Sequence, residues 1–341
     1  MPQTDEPQCL IARRSYRILP LTLLAWLGRQ GARAVAALVF LGIIIPPLGT
    51  LLRPFVTEAI FLLLTISFSR VDTIALQGHL RRPALVLAAT VWTSVAVPLL
   101  FGGVMLGSGL NVCAPGLFLG LMLQGLTSPM MASPALAALA GLDATIVLIT
   151  LVAGTALVPI AAPVFAYMFL GGALEISPIA LALKLSELLL GSLLLAAIIR
   201  RIVGRAAIER HVDAVNGLNV LLMLVFVTAV MGDVLPQALA NPARVAEIAA
   251  IAFGVFFALL FVTALVFWRT GRTAALSLGL MASQRNMGLM LAATDGILPG
   301  TTWLYFALSQ FPIYLSPQLL RSMAGRSVHS KVNPPDSVRK S

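Results

Sequence analysis

Between Thr273 and Thr294 the chain reads TAALSLGLMASQRNMGLMLAAT, apolar at both ends with Ser283, Gln284, Arg285 and Asn286 side by side at its centre. A guanidinium between two carboxamides can recognise an anion, pair with an acid on a neighbouring helix, or cap freed backbone carbonyls. Each role demands a partner, because an arginine at the middle of a membrane helix costs roughly 2.5–3.5 kcal/mol on insertion scales. A second stretch, LGLMLQGLTSPMMASPALAALAGLD from Leu119, sets Thr127, Ser128 and Ser133 among Pro129 and Pro134. Each proline removes a backbone donor, which frees carbonyls near Thr127, Ser128 and Ser133. A third pair, Lys184 and Glu187, lies one helical turn apart within an apolar run. Either the two form a local ion pair, or Glu187 reaches Arg285 across helices.

The elements that must position these groups follow from composition. Of 341 residues, 59% are hydrophobic and only 11% charged, and the mean hydropathy of +0.97 lies far outside the range of soluble globular chains. The chain is a polytopic membrane protein. Its formal charge of +10 sits between apolar segments without the aromatic-interleaved basic patch of a nucleic-acid binder, so anionic lipid is the simpler partner. Enzymatic chemistry finds no support: His79, His211 and His329 fall in loops or tail, and there is no H-E-x-x-H metal motif, intramembrane carboxylate pair or P-loop. Gly107-Ser108-Gly109 is a turn without the flanks of a nucleophile elbow. No cofactor or metal is expected.

About 20 apolar residues cross a ~30 Å hydrocarbon core, which predicts ten spans near 34–52, 55–69, 83–106, 114–139, 144–168, 178–200, 217–236, 244–268, 273–294 and 302–321. Residues 1–33 are expected to form an uncleaved cytoplasmic segment whose apolar run, Ile18 to Gly28, lies at the interface with Trp26 as an anchor. Residues 322–341 form a cytoplasmic tail, polar and disordered from Ser327 onward. With both termini inside, the basic residues outside the spans gather on one side: the N-terminal arginines, Arg70, Arg81 and Arg82, Arg200 to Arg210, Arg269 and Arg272, and the C-terminal group. Only Arg53 and Arg244 fall opposite. The expected location is an inner (plasma) membrane, with Cys9 and Cys113 on opposite sides and unable to pair. Trp268 and Trp303 fall at opposite interfaces, where aromatic belts form. Asp143 and Asp295, at span ends, read as solvated.

The two polar-centred stretches are the fourth members of two five-span sets, and both carry Leu-Gly-Leu-Met ahead of the polar interruption. An odd number of spans inverts the second set, which is the plan of many secondary transporters with sites where broken helices meet. The residues SPMMASPALAALAGLDATIVLITLVAGTALVPIAAP (Ser128 to Pro163) and ASQRNMGLMLAA (Ala282 to Ala293) resemble the bile acid:sodium symporter family over about residues 34–321. The resemblance implies an all-α fold of ten helices in two inverted five-helix repeats. It also implies a panel domain (34–69 and 178–236) and a core domain (83–168 and 244–321) in which discontinuous helices four and nine cross, and inward movement of organic anions with sodium by alternating access.

The family's sodium ligands transfer poorly. Met281 and Arg285 stand where the family carries Glu and Gln in helix nine, Thr93 stands for the helix-three Gln five residues before Pro98, and Ser133-Pro134 for a Ser-Asn pair. Thr150 stands for a helix-five threonine and Asn286 keeps the helix-nine Asn, so the resemblance makes Thr93, Ser133, Thr150 and Asn286 the ion-site remnants. Sodium prefers oxygen ligands with a balancing carboxylate, so coupling to it is in doubt, and the Arg285 guanidinium is expected to replace the coupling cation. The expected function is secondary transport of a small organic anion, with Arg285, Asn286, Gln284, Ser283, Thr127, Ser128, Ser133 and Met281 around the substrate and Lys184 and Glu187 as a charge pair or gate. The alternatives are a non-transporting sensor or binding protein on the same fold and an efflux carrier of related architecture.

Overall fold

The structure is a computed structural model describing residues 21–30, 32–70, 83–171, 174 and 176–324; Cys9, His79, His329 and the tail from Ser327 lie outside them. The described residues are helical throughout, apart from turns and one isolated two-residue β-bridge. After a helical stretch at 21–30, the main helices are α1 Ala32–Ile44, α2 Pro46–Ser69, α3 Pro83–Gly107, α4 Pro115–Leu126 and α5 Ser133–Leu139. They continue with α6 Ala144–Leu170, α7 Pro178–Val203, α8 Val212–Ala240, α9 Pro242–Val266, α10 Arg272–Ser283, α11 Met287–Ala293 and α12 Gly300–Ala324. Six of them, α2, α3 and α6 to α9, are long and apolar enough to cross a bilayer. The chain is an integral membrane protein on that ground.

Proline and small polar residues set the boundaries. Proline occupies an early position of α2, α4, α5, α7 and α9, where its missing N–H is one the helix leaves unpaired anyway. The hydroxyl of Ser177 caps α7, the amide oxygen of Asn241 caps α9, and the Asp143 carboxylate accepts from the N–H groups of Thr145 and Ile146 to cap α6. Asp143 is therefore a helix cap rather than a merely solvated end.

The first reversal lies elsewhere than the hydropathy pattern predicts. α1 ends at Ile44 and α2 begins with Pro46-Pro47, so Arg53 falls within the second helical run and not between two spans. Gly42 and Gly49 both abut Thr228, which requires the chain to double back between them. The helical stretch at 21–30 is not a free interfacial segment: Gly28 lies against Asp213 and Gly217, and Arg29 pairs with Asp213 at 3.6 Å. Together with α1 it packs along α8 from near Gly217 to near Thr228. Trp26 and Trp268 are exposed, whereas Trp303 is buried and makes no belt.

Two packing groups result. In the first, α1 and α7 gather around α2 and α8; in the second, α3, α4, α5, α6, α9, α10 and α12 pack on one another. The groups meet along α6 and α7 and where α8 touches α9 and α12, and α11 lies between them, touching α2 and α7 on one side and α4 on the other. The first group depends on backbone contact: a Cβ on Gly49 would lie 2.7 Å from the Gly232 Cα and 2.9 Å from the Thr228 carbonyl oxygen. Small residues permit such approach where lipid removes the hydrophobic drive for helix association. Gly49→Val should destabilise the protein by about 1–3 kcal/mol through overpacking, read as a lower thermal unfolding midpoint in detergent. Gly103→Ala, inside α3 with nothing within 4 Å of the added carbon, should not lower the midpoint and should raise it slightly, because alanine favours the helix over glycine.

Candidate functional site at the paired helix breaks

The site is built from two interruptions. α4 stops at Leu126 and α5 resumes at Ser133, with Thr127 extended (ψ 160°) between them. α10 stops at Ser283 and α11 resumes at Met287, without a proline; Gln284 and Asn286 leave helical geometry (ψ 88° and 68°), and the Asn286 carboxamide caps α11 by accepting from the Leu289 N–H at 3.3 Å. The breaks meet as an antiparallel bridge between Pro129 and Arg285. The Met130 N–H donates to the Gln284 carbonyl at 2.7 Å, and the Asn286 N–H to the Ser128 carbonyl at 2.9 Å. Backbone groups that would be orphaned in lipid thus satisfy each other.

Arg285 projects from this bridge and is 1% exposed. One terminal nitrogen donates to the Thr127 carbonyl at 2.7 Å and, with the other, to the Thr93 carbonyl at 3.2 Å. Both acceptors are freed by the sequence. The break after α4 removes the donor that would have reached Thr127. In α3 a π-helical turn runs from Trp92 to Ala96, closed by the Val97 N–H on the Trp92 carbonyl. The next bond of that register would come from residue 98, which is proline and has no N–H. No acid reaches Arg285 among the described residues. The guanidinium is held by carbonyl oxygens alone, as a bound hard cation would be.

The expected site residues divide around this centre. The Ser283 hydroxyl donates to the Leu280 carbonyl and the Thr127 hydroxyl to the Gln124 carbonyl, within their own helices. Gln284 donates its side-chain amide to the Ser316 hydroxyl at 2.7 Å. Met281 is fully buried in an apolar cluster with Ala89, Val147 and Leu278. Thr93 takes part through its backbone carbonyl, while its hydroxyl donates to Ala89. The hydroxyls of Ser128, Ser133 and Thr150, the Gln284 amide oxygen and the Arg285 Nε are buried without a protein partner. Gly154, one turn from Thr150 on α6, lies beside Pro129 and Thr93, which brings that helix to the crossing.

The second charged pair is rearranged. Lys184 pairs with Asp295, in the turn after α11, and not with Glu187 on its own helix. Glu187 is exposed, forms no ion pair among the described residues, and does not meet Arg285; Asp295 is a salt-bridge partner rather than a simply solvated end. Lys184, Glu187 and Asp295 share a cavity of about 480 Å³ with Glu58 and Phe61 of α2. A second cavity of about 460 Å³ lies between α2, α6 and α7, walled by Phe68, Ile160, Leu189 and Leu193, with Arg200 among its lining residues. Thr155 lines it with a buried hydroxyl that has no protein partner. Pro159, four residues on, supplies no N–H to the Thr155 carbonyl. Neither cavity reaches Arg285.

Sequence reasoning missed the Thr93 carbonyl and the Asp295 pairing. The first had a signal in Pro98; the second, a contact between distant segments, had none. Arg285→Met should cost about 1–3 kcal/mol by leaving buried carbonyls unpaired, with Arg285→Lys recovering part of the loss, measured as unfolding midpoints in detergent. Comparison with models of known protein families and with characterised proteins finds no match to this chain.

Proposed function

We propose that this chain is a secondary transporter of a small organic anion, similar in plan to the bile acid:sodium symporters. Its ten spans form two inverted five-helix repeats, with both termini cytoplasmic in an inner (plasma) membrane. The first packing group serves as the panel and the second as the core, and alternating access arises as one moves against the other. The observation that carries this reading is Arg285 at the paired breaks, its terminal nitrogens on the Thr93 and Thr127 carbonyls.

In this reading the guanidinium replaces the coupling cation. It holds together three segments that a transported ion would otherwise bridge, and it cannot leave. Sodium then has neither a balancing carboxylate nor room. The Arg285 Nε–H and the hydroxyls of Ser128, Ser133 and Thr150 remain as donors for an anion, while Asn286 and Gln284 fix the backbone around it. The apolar cavity between α6 and the panel helices α2 and α7, with Arg200 on its wall, does not reach Arg285 in this state and joins the crossing only when core and panel move apart, giving the carbon skeleton its path. Permanent positive charge in a site shielded from water favours anionic over neutral substrates.

A sensor or binding protein on the same fold is the second reading, favoured by the absence, among the described residues, of an acid placed to take up a coupling cation at the crossing. Uptake of radiolabelled carboxylates and sulfonates into proteoliposomes separates the two. The expected result is accumulation that is the same with and without sodium and falls at least tenfold in Arg285→Gln, with a neutral analogue less affected. Saturable binding without accumulation would establish the sensor. Sodium-dependent uptake that survives Arg285→Ala would overturn the cation-replacement mechanism.

A further inference from the structure

A chain of polar contacts runs across one end of the molecule from Asp233 in α8 to Lys184 in α7. Asp233 pairs with Arg53 of α2, and the Arg53 guanidinium lies over the Trp303 ring of α12, 4.8 Å from its centroid. The Trp303 indole N–H donates to the Gly296 carbonyl at 3.2 Å. Gly296 follows Asp295 in a turn where both adopt positive φ (67° and 51°), and Asp295 completes the chain by pairing with Lys184. Positive φ is open to glycine and tolerated by aspartate, and here it fixes the direction in which the Asp295 carboxylate points. The series leaves the first packing group at Arg53–Trp303 and returns to it, from the turn after α11, at Asp295–Lys184.

The surroundings of Lys184 offer it a second set of acid partners. Glu187, three residues along the same helix, and Glu58 on α2 line the cavity that Lys184 and Asp295 share. Both are exposed and neither forms an ion pair among the described residues. They belong to the same packing group as Lys184, whereas Asp295 follows α11, the helix that bridges the groups. The ammonium therefore has one acid partner across the boundary and two on its own side. We propose that Lys184 is a partner-exchanging latch: pairing with Asp295 holds this end shut, and when α11 withdraws the ammonium transfers to Glu187 and Glu58. Opening then never strands a lysine without a counter-charge, so the two states remain close in free energy, which a bistable element requires. The proposal rests on the reading of the two groups as moving parts.

Access to Ala292 reports the latch. This residue lines the cavity yet is 1% exposed. Ala292→Cys is introduced into full-length protein carrying Cys9→Ser and Cys113→Ser, and its labelling by a membrane-impermeant maleimide is timed in proteoliposomes. Asp295→Asn should accelerate labelling at least tenfold, and the reciprocal exchange Lys184→Asp with Asp295→Lys should return the rate to within about threefold of the parent, which a misfolded variant would not do. With Asp295 intact, Glu58→Gln combined with Glu187→Gln should slow labelling by about threefold or more, because the open state loses its ion pair. An unchanged rate in Asp295→Asn, or no return in the reciprocal exchange, overturns the latch; an unchanged rate in the double glutamine variant overturns partner exchange. Labelling needs no transported substrate. Sodium-dependent uptake alongside the expected labelling pattern would therefore refute cation replacement while leaving the latch standing.

Discussion

The structure depends on one constraint: within a bilayer a backbone carbonyl that loses its helical donor must find another inside the protein. Three interruptions create such carbonyls, in the π turn of α3, between α4 and α5, and between α10 and α11. Two are resolved by breaks pairing with each other, through Met130 to Gln284 and Asn286 to Ser128. Those of Thr93 and Thr127 are resolved by Arg285. Charge-assisted hydrogen bonds are roughly twice as strong as neutral ones, and they offset part of the desolvation of a side chain that is 1% exposed. The arginine and the breaks are thus mutually necessary: without the breaks the charge has no acceptors, and without the charge two carbonyls have no donor.

This mutual dependence explains which features could be read from the residues. The interruption after α4 was legible because Pro129 and Pro134 remove donors at fixed positions, and the one after α10 because a charge and two carboxamides cannot continue an apolar helix cheaply. Asn286 at the start of α11 follows ordinary capping chemistry. The six long apolar helices follow from composition. What composition did not locate was the first reversal: hydropathy runs unbroken through Ile44-Ile45-Pro46-Pro47, and only the stereochemistry of proline at a helix start marks the corner. An arginine such as Arg53 suggests an end of a span, yet here it sits within α2 because Asp233 and the Trp303 face give it partners.

Long-range charge pairing was the least legible layer. Lys184 and Glu187 are neighbours on one helical face, and local spacing alone makes them partners. The fold places Asp295 nearer, because a turn with two consecutive positive-φ residues aims its carboxylate across the boundary between the packing groups. Sequence spacing supplies the set of acids available to a lysine; the tertiary arrangement selects among them. The same holds for Trp303, whose type suggests a bilayer interface but whose ring is buried beneath a guanidinium.

The carbonyls that receive Arg285 come from Thr93 and Thr127, more than 150 positions earlier in synthesis. Chains emerge from the ribosome N-terminus first, so the acceptors are in place before the guanidinium arrives. Biogenesis therefore has a built-in order, in which the first half of the polypeptide prepares the socket and the second half delivers the charge. A nascent fragment made of the second half alone would carry an arginine into lipid with nothing to receive it.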